Sequence, residues 1–139
     1  MSSAERRVVL RADVSRSIGT GHLRRCMALG RQLSRQGVRV RLLLMGEPPD
    51  WAGEARVLGR ELSDEDDAAG TVQFCREEGA DRLVIDRDAT SESYQRALLN
   101  AGLLWMQFDG AARVPMWADW VVSMSPAASE AVCVIPCGH

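Results

Sequence analysis

The feature that most constrains this chain is a short apolar run followed at once by a glycine loop and a helical pattern. Val8-Val9-Leu10 leads into Arg11-Ala12-Asp13, and the segment from Arg7 to Asp13 reads as a strand buried in its middle. Val14 to Thr20 is small and polar around Gly19, as a strand-to-helix connection should be. From Gly21 to about Gln36, Leu23, Cys26, Met27, Leu29 and Leu33 recur at helical spacing, with Gly30 on the same stripe. Thr20 is a candidate N-cap, and Gly37 is placed to end the helix.

The rest of the chain repeats this alternation. Val38 to Met45 reads as a second strand, Gly46-Glu47-Pro48-Pro49-Asp50 as a loop, and Ala55 to Leu58 as a short third strand. The acidic run Glu61 to Asp67 reads as a solvated lead-in to a helix over Ala68 to Glu78, ended by Gly79. Arg82 to Asp86 is a strong strand. Thr90 or Ser91 then caps a helix running to about Asn100, with Tyr94, Ala97 and Leu98 at core spacing and Gly102 after it. Leu103 to Phe108 and Ala118 to Val122 supply two more strands; Ser123 to Pro126 reads as a turn, and Ala127 to His139 shows no clear element. Strands alternating with helices predict an α/β fold, a Rossmann-like parallel sheet with helices on both faces. At 139 residues this is a single domain by length.

Composition narrows the classes of partner. A net charge of −2 exerts no broad pull on nucleic acid or anionic membrane. No apolar run reaches membrane-spanning length, and Met1 to Arg7 lacks a signal-peptide core, so a cytoplasmic protein is the default expectation. Cys26 and Cys75 lie among apolar neighbours and read as reduced core residues. Cys133, Cys137 and His139 have unusual spacing for zinc and no evident fourth ligand, so no metal is expected.

In an open α/β sheet, ligands bind beyond the carboxyl ends of the strands, where strand order reverses. Asp13, Asp86 and Asp109 stand at three such ends and are expected to face one crevice, unless they are simple loop caps. The amides of Thr20, Gly21 and His22 would sit at a helix N-terminus, which favours an anionic or electron-rich oxygen. His22 has two readings: a structural histidine, or a base kept neutral by the helix dipole. Gly19-Thr20-Gly21 is neither the dinucleotide fingerprint nor a P-loop, which counts against a dinucleotide enzyme. Arg24 and Arg25 read as surface charges or phosphate contacts. Trp105, Trp117 and Trp120 read as packing residues, and Ala111 to Trp117 as a candidate partner surface.

The stretch Arg11-Ala12-Asp13-x4-Ile18-Gly19-Thr20-Gly21-His22-x-x-Arg25-Cys26-x-x-Leu29 closely resembles a motif of bacterial UDP-sugar hydrolases of pseudaminic acid biosynthesis. These are the UDP-2,4-diacetamido-2,4,6-trideoxy-β-L-altropyranose hydrolases, related to spore-coat polysaccharide proteins. The resemblance extends to Leu83-Val84-Ile85-Asp86, Phe108-Asp109 and Ala118-Asp119-Trp120-Val121-Val122. It implies one lobe of a GT-B fold, in which two Rossmann-like lobes enclose the active site, and a nucleotide-sugar substrate with no cofactor. By that resemblance His22 is the general base, Gly19, Thr20 and Gly21 line the sugar and diphosphate, Asp13 orients the loop, and Arg25, Asp86 and Asp109 join the substrate site. Asp86-Arg87-Asp88 and Phe108-Asp109 depart from the family's Asp-x-Tyr and paired Asp-Asp. The resemblance runs out near His139, where an interlobe linker would begin. The expectation is therefore a sugar-side lobe without its nucleotide-binding lobe, weakly active or inactive alone. The alternative is a non-catalytic binding or assembly domain that works with a partner lobe or as a homodimer.

Overall fold

The computed structural model describes residues 5–87, 90–109 and 117–123. Six parallel strands form one sheet: β1 (Arg7–Val14), β2 (Arg39–Gly46), β3 (Arg56–Val57), β4 (Arg82–Asp86), β5 (Leu104–Asp109) and β6 (Trp120–Ser123). Their spatial order is β3-β2-β1-β4-β5-β6. Three helices accompany them: α1 (Gly21–Arg35), α2 (Asp64–Glu78) and α3 (Glu92–Asn100). The Rossmann-like α/β architecture read from the alternation is the one observed. None of these helices is long and apolar enough to cross a membrane.

The order turns back on itself between β1 and β4. Chain progress runs outward one way from β1 through β2 to β3, then resumes on the other side of β1 and runs the opposite way. Crossovers of one hand then place helices on opposite faces. The alternation within β1 records both faces. Leu10, Ala12 and Val14 pack with Leu23 and Cys26 of α1, while Val9 packs with the cluster holding Phe74 of α2 and Tyr94 and Leu98 of α3. Each fully buried leucine or isoleucine in these clusters contributes about 2 kcal/mol.

Local signals explain the helix ends. Gly37, Gly79 and Gly102 each follow a helix with positive φ, and the amide beyond each closes onto a carbonyl five residues back. Ser91 caps α3, its Oγ accepting from the Tyr94 amide. α2 starts four residues before the expected Ala68: Ser63 Oγ accepts from the Asp66 amide, drawing the acidic run into the first turn. Thr20 precedes α1 but does not cap it; its Oγ1 accepts from Arg24 Nε at 3.2 Å.

Two strands differ from expectation in ways that matter below. β2 runs on to Gly46, whose φ of 119° and close approach to the Val14 carbonyl leave no room for a Cβ. Trp105 is buried and Trp117 packs against the core, but Trp120 is 57% exposed. Its side of β6 lies on the α1 face, beyond the reach of α1, together with exposed Val122 and Leu104. Ser123, expected to open a turn, ends β6; the rest of the expected turn and tail over 124–139, including Cys133, Cys137 and His139, and most of 111–117, lie outside the described residues.

Candidate functional site

The site grows from the last residue of β4. Asp86 is fully buried, and the register Ala12↔Asp86 turns its carboxylate to the α1 face, against the first turn of that helix. His22 is the second residue of α1 and Arg25 lies one turn on, so both reach the same carboxylate. His22 Nδ1 is 2.6 Å from Asp86 Oδ1. Arg25 closes a fork, Nε to Oδ2 at 2.6 Å and Nη2 to Oδ1 at 2.6 Å, while its guanidinium lies 4.7 Å over the Phe108 ring.

Burial alone would raise the Asp86 pKa. The Arg25 and then the His22 hydrogen bonds outweigh it and hold the carboxyl below its usual range. The same fork raises the Arg25 pKa, its bond to Asp86 being the largest cause. An ionised Asp86 can only accept, so His22 Nδ1 is the donor in this contact. The His22 side chain is 17% exposed at the crevice between β1 and β4, the point where strand order reverses.

The sheet divides the expected site. Gly19, Thr20, Gly21, His22, Arg25 and Asp86 come together around the start of α1 and the end of β4. Gly19 closes the preceding loop by donating to the Ser15 carbonyl at 2.7 Å. Asp13 does not join them. It points to the opposite face, where Arg11 Nη1 donates to its Oδ1 at 2.8 Å, so it braces the interior rather than the loop. The three strand-end carboxylates therefore do not share one crevice. Asp109 ends β5 next to β4, and its side chain lies outside the described residues. Arg25 is turned onto Asp86 rather than outward, and Arg24 lies 4.6 Å over the ring of Trp51.

A second cluster on the far face escaped the sequence reading. Arg11, fully buried, forks onto Asp67, Nε to Oδ1 at 3.3 Å and Nη2 to Oδ2 at 2.5 Å. The Tyr94 hydroxyl donates to Asp67 Oδ1 at 2.8 Å, and Thr71 Oγ1 donates to the same oxygen at 3.3 Å. Arg87 stacks 4.8 Å over the Tyr94 ring and donates to Asp64 at 3.2 Å. Asp67, which the acidic run suggested was solvated, is 1% exposed. Burial pushes its pKa up, but the Arg11 contacts and the Tyr94 bond more than reverse this. The signal was present: Arg11 stands in the middle of a buried strand, on the Val9 face, and a buried guanidinium requires a carboxylate.

Cys26 and Cys75 are buried free thiols whose pKa values burial pushes up to about 12. Among the described residues, no three His, Cys, Asp or Glu side chains come together as a metal site. No protein-family model matches this chain, and no curated protein matches it.

Proposed function

We propose that this chain is the sugar-side lobe of a nucleotide-sugar hydrolase or glycosyltransferase-like protein acting on a UDP-sugar, with His22 as its general base. The observation that carries the reading is the Asp86–His22 pair at the strand-order switch. A buried, ionised carboxylate fixes the Nδ1–H tautomer and directs Nε2 chemistry at the crevice. The resemblance of the Ile18-Gly19-Thr20-Gly21-His22 stretch to UDP-sugar hydrolases supplies the substrate class. In the step proposed, a water oxygen bonds to the anomeric carbon while His22 Nε2 takes its proton. The bond from that carbon to the diphosphate oxygen breaks, and UDP leaves with inversion. Asp86 stabilises the imidazolium that forms, and Arg25 holds Asp86 in place. The amides at the start of α1 face developing negative charge. A second, nucleotide-binding lobe belongs to this reading as a partner.

The test is a titration with UDP and UDP-N-acetylhexosamines, following the ring signals of His22 by NMR and assigning them with His22→Ala. Sugar-dependent shifts at His22 and at the amides of residues 19–21 support the proposal. No shift at millimolar ligand overturns it for this chain. The second reading, an assembly domain without catalysis, draws on the uncovered apolar side of β5 and β6, where Leu104, Trp120 and Val122 are exposed. Sedimentation velocity distinguishes it: self-association abolished by Trp120→Lys, with His22→Ala without effect, favours assembly.

A further inference from the structure

A groove among the described residues lies apart from His22. It holds about 1020 Å³ over the carboxyl ends of β1 and β2, bounded by the Ser15–Ile18 loop on one side and Arg60 to Leu62 on the other. Its volume is that of a small-molecule site, and it lies at the carboxyl ends of two strands, next to the point where strand order reverses. The groove lies over β1 and β2, whereas Asp86, the partner of His22, ends β4 on the other side of β1.

The lining determines what fits. Two arginines, Arg16 and Arg60, face two glutamates, Glu47 and Glu61, so the formal charges cancel. Arg60 Nη1 lies 3.7 Å from Glu47 Oε1, and both side chains are largely exposed. A phosphate or carboxylate ligand gains the arginines but meets both glutamates, and a cation meets the reverse. A neutral ligand carrying several hydroxyls uses both, since each hydroxyl donates to a carboxylate and accepts from a guanidinium. The groove also has apolar lining, supplied by Met45 and Leu62, with Ile18 exposed at the rim. Apolar lining beside a mixed set of donors and acceptors matches the two sides of a sugar ring, its C–H face and its hydroxyl edge. The backbone around the groove is braced. The Gly46 amide donates to the Gly59 carbonyl at 2.8 Å, and the Glu47 amide donates to the Val14 carbonyl at 2.9 Å.

We infer that this groove binds a neutral glycan, and that the glycan is the acceptor of a transfer reaction. The binding claim stands on the groove alone; the role as acceptor rests on the proposed function of His22. In that role a glycan hydroxyl takes the place of water. Its oxygen bonds to the anomeric carbon, its proton passes to His22 Nε2, the bond to the diphosphate oxygen breaks, and UDP leaves.

The experiment is an amide NMR titration of the whole chain with chitotriose, maltotriose, UDP and inorganic phosphate in turn. At least one neutral trisaccharide is expected to shift the amides of residues 15–18, 46–47 and 60–62. The Arg60→Ala/Glu61→Ala double variant, altered only at the groove's rim, is expected to bind it about tenfold more weakly, as loss of two hydrogen bonds implies. If neither trisaccharide moves these amides at tens of millimolar, the groove is not a glycan site. If phosphate or UDP moves them and the glycans do not, it is an anion site, and the inference is equally overturned. Glycan shifts without any response of His22 to a UDP-sugar keep the groove and sink the catalytic reading.

Discussion

The two faces of the sheet carry the same chemical pair, an arginine forked onto an aspartate, put to different uses. On the α2–α3 face, Arg11 and Asp67 are sealed, and the hydroxyls that bond Asp67 (Tyr94, Thr71) are also buried, with Arg87, 10% exposed, 3.6 Å away. On the α1 face, Asp86 is equally buried, but Arg25 and His22 reach from it toward solvent, with side chains 30% and 17% exposed. A sealed pair can only brace. A pair whose carboxylate is buried and whose partners are half-open can hold a reacting group still without removing it from the ligand. Burial of the whole cluster, not the presence of charge, separates the sealed pair from the one proposed to act.

The strongest way to break this comparison is to remove Asp67. Asp67→Ala leaves the Arg11 guanidinium buried beside Asp13 alone, and breaking such a pair costs about 3–5 kcal/mol. Urea unfolding monitored by circular dichroism measures this loss. A cost under about 1 kcal/mol would show that the sealed cluster is not a brace, since that is the range of exposed pairs.

His22→Ala should do the opposite. Under the proposed function, loss of His22 as general base lowers turnover about 10²–10⁴-fold, measured as UDP release. The Asp86–Arg25 fork survives the substitution, so unfolding free energy should move by no more than about 1 kcal/mol. A variant that loses stability but keeps turnover would place His22 with Arg11, as a structural residue.

Acid sharpens the contrast further. Asp67 and Asp86 both have native pKa values held below the ordinary carboxylate value of about 3.9. Between the unfolded and the native values, the unfolded chain binds the extra protons. The stability contributed by these pairs is therefore complete above about pH 4 and lost as pH falls through the native values. The urea midpoint should stay level from about pH 7 to 5 and fall below about pH 4. Asp86→Asn should flatten part of that fall; an unchanged acid profile would mean that Asp86 is not held ionised by its partners.

Most of the architecture was legible because period and punctuation agree. Apolar runs mark β1, β2 and β4, and a glycine follows every helix. The β1–loop–α1 unit was legible for the same reason, and it places His22 and Arg25 on the first turns of α1. What failed were inferences that treated residues singly. Asp13 and Asp86 both end strands, but Asp86 pairs in register with Ala12, one residue before Asp13, and that single step sends them to opposite faces. Asp67 was hidden in a run of acids because only the helix phase set by Ser63 turns it inward. Trp120 looks like a core residue by type, but among the described residues no helix covers its side of β6, and it is exposed.

The smallest effect calibrates the others. Glu92 and Arg96 form the same kind of pair in the open, Arg96 Nη2 to Glu92 Oε1 at 3.0 Å, one turn apart on α3 with side chains 69% and 61% exposed. Water screens both charges and each long side chain gives up rotamer freedom to meet the other, so the net interaction should be about 0.3–0.5 kcal/mol. Single substitutions will not isolate it. Glu92 also sits at the positive end of the helix, and Arg96 lies 5.3 Å over the Trp117 ring, so each alanine removes something else as well. A double-mutant cycle of Glu92→Ala and Arg96→Ala cancels those terms and leaves the coupling. It should shrink in molar salt, where charges more than about 3 Å apart are screened, while the Arg11–Asp67 pair should not respond. A coupling above about 1 kcal/mol would mean that exposure is not what ranks these three pairs, and the distinction between brace and site would have to rest on position in the fold alone.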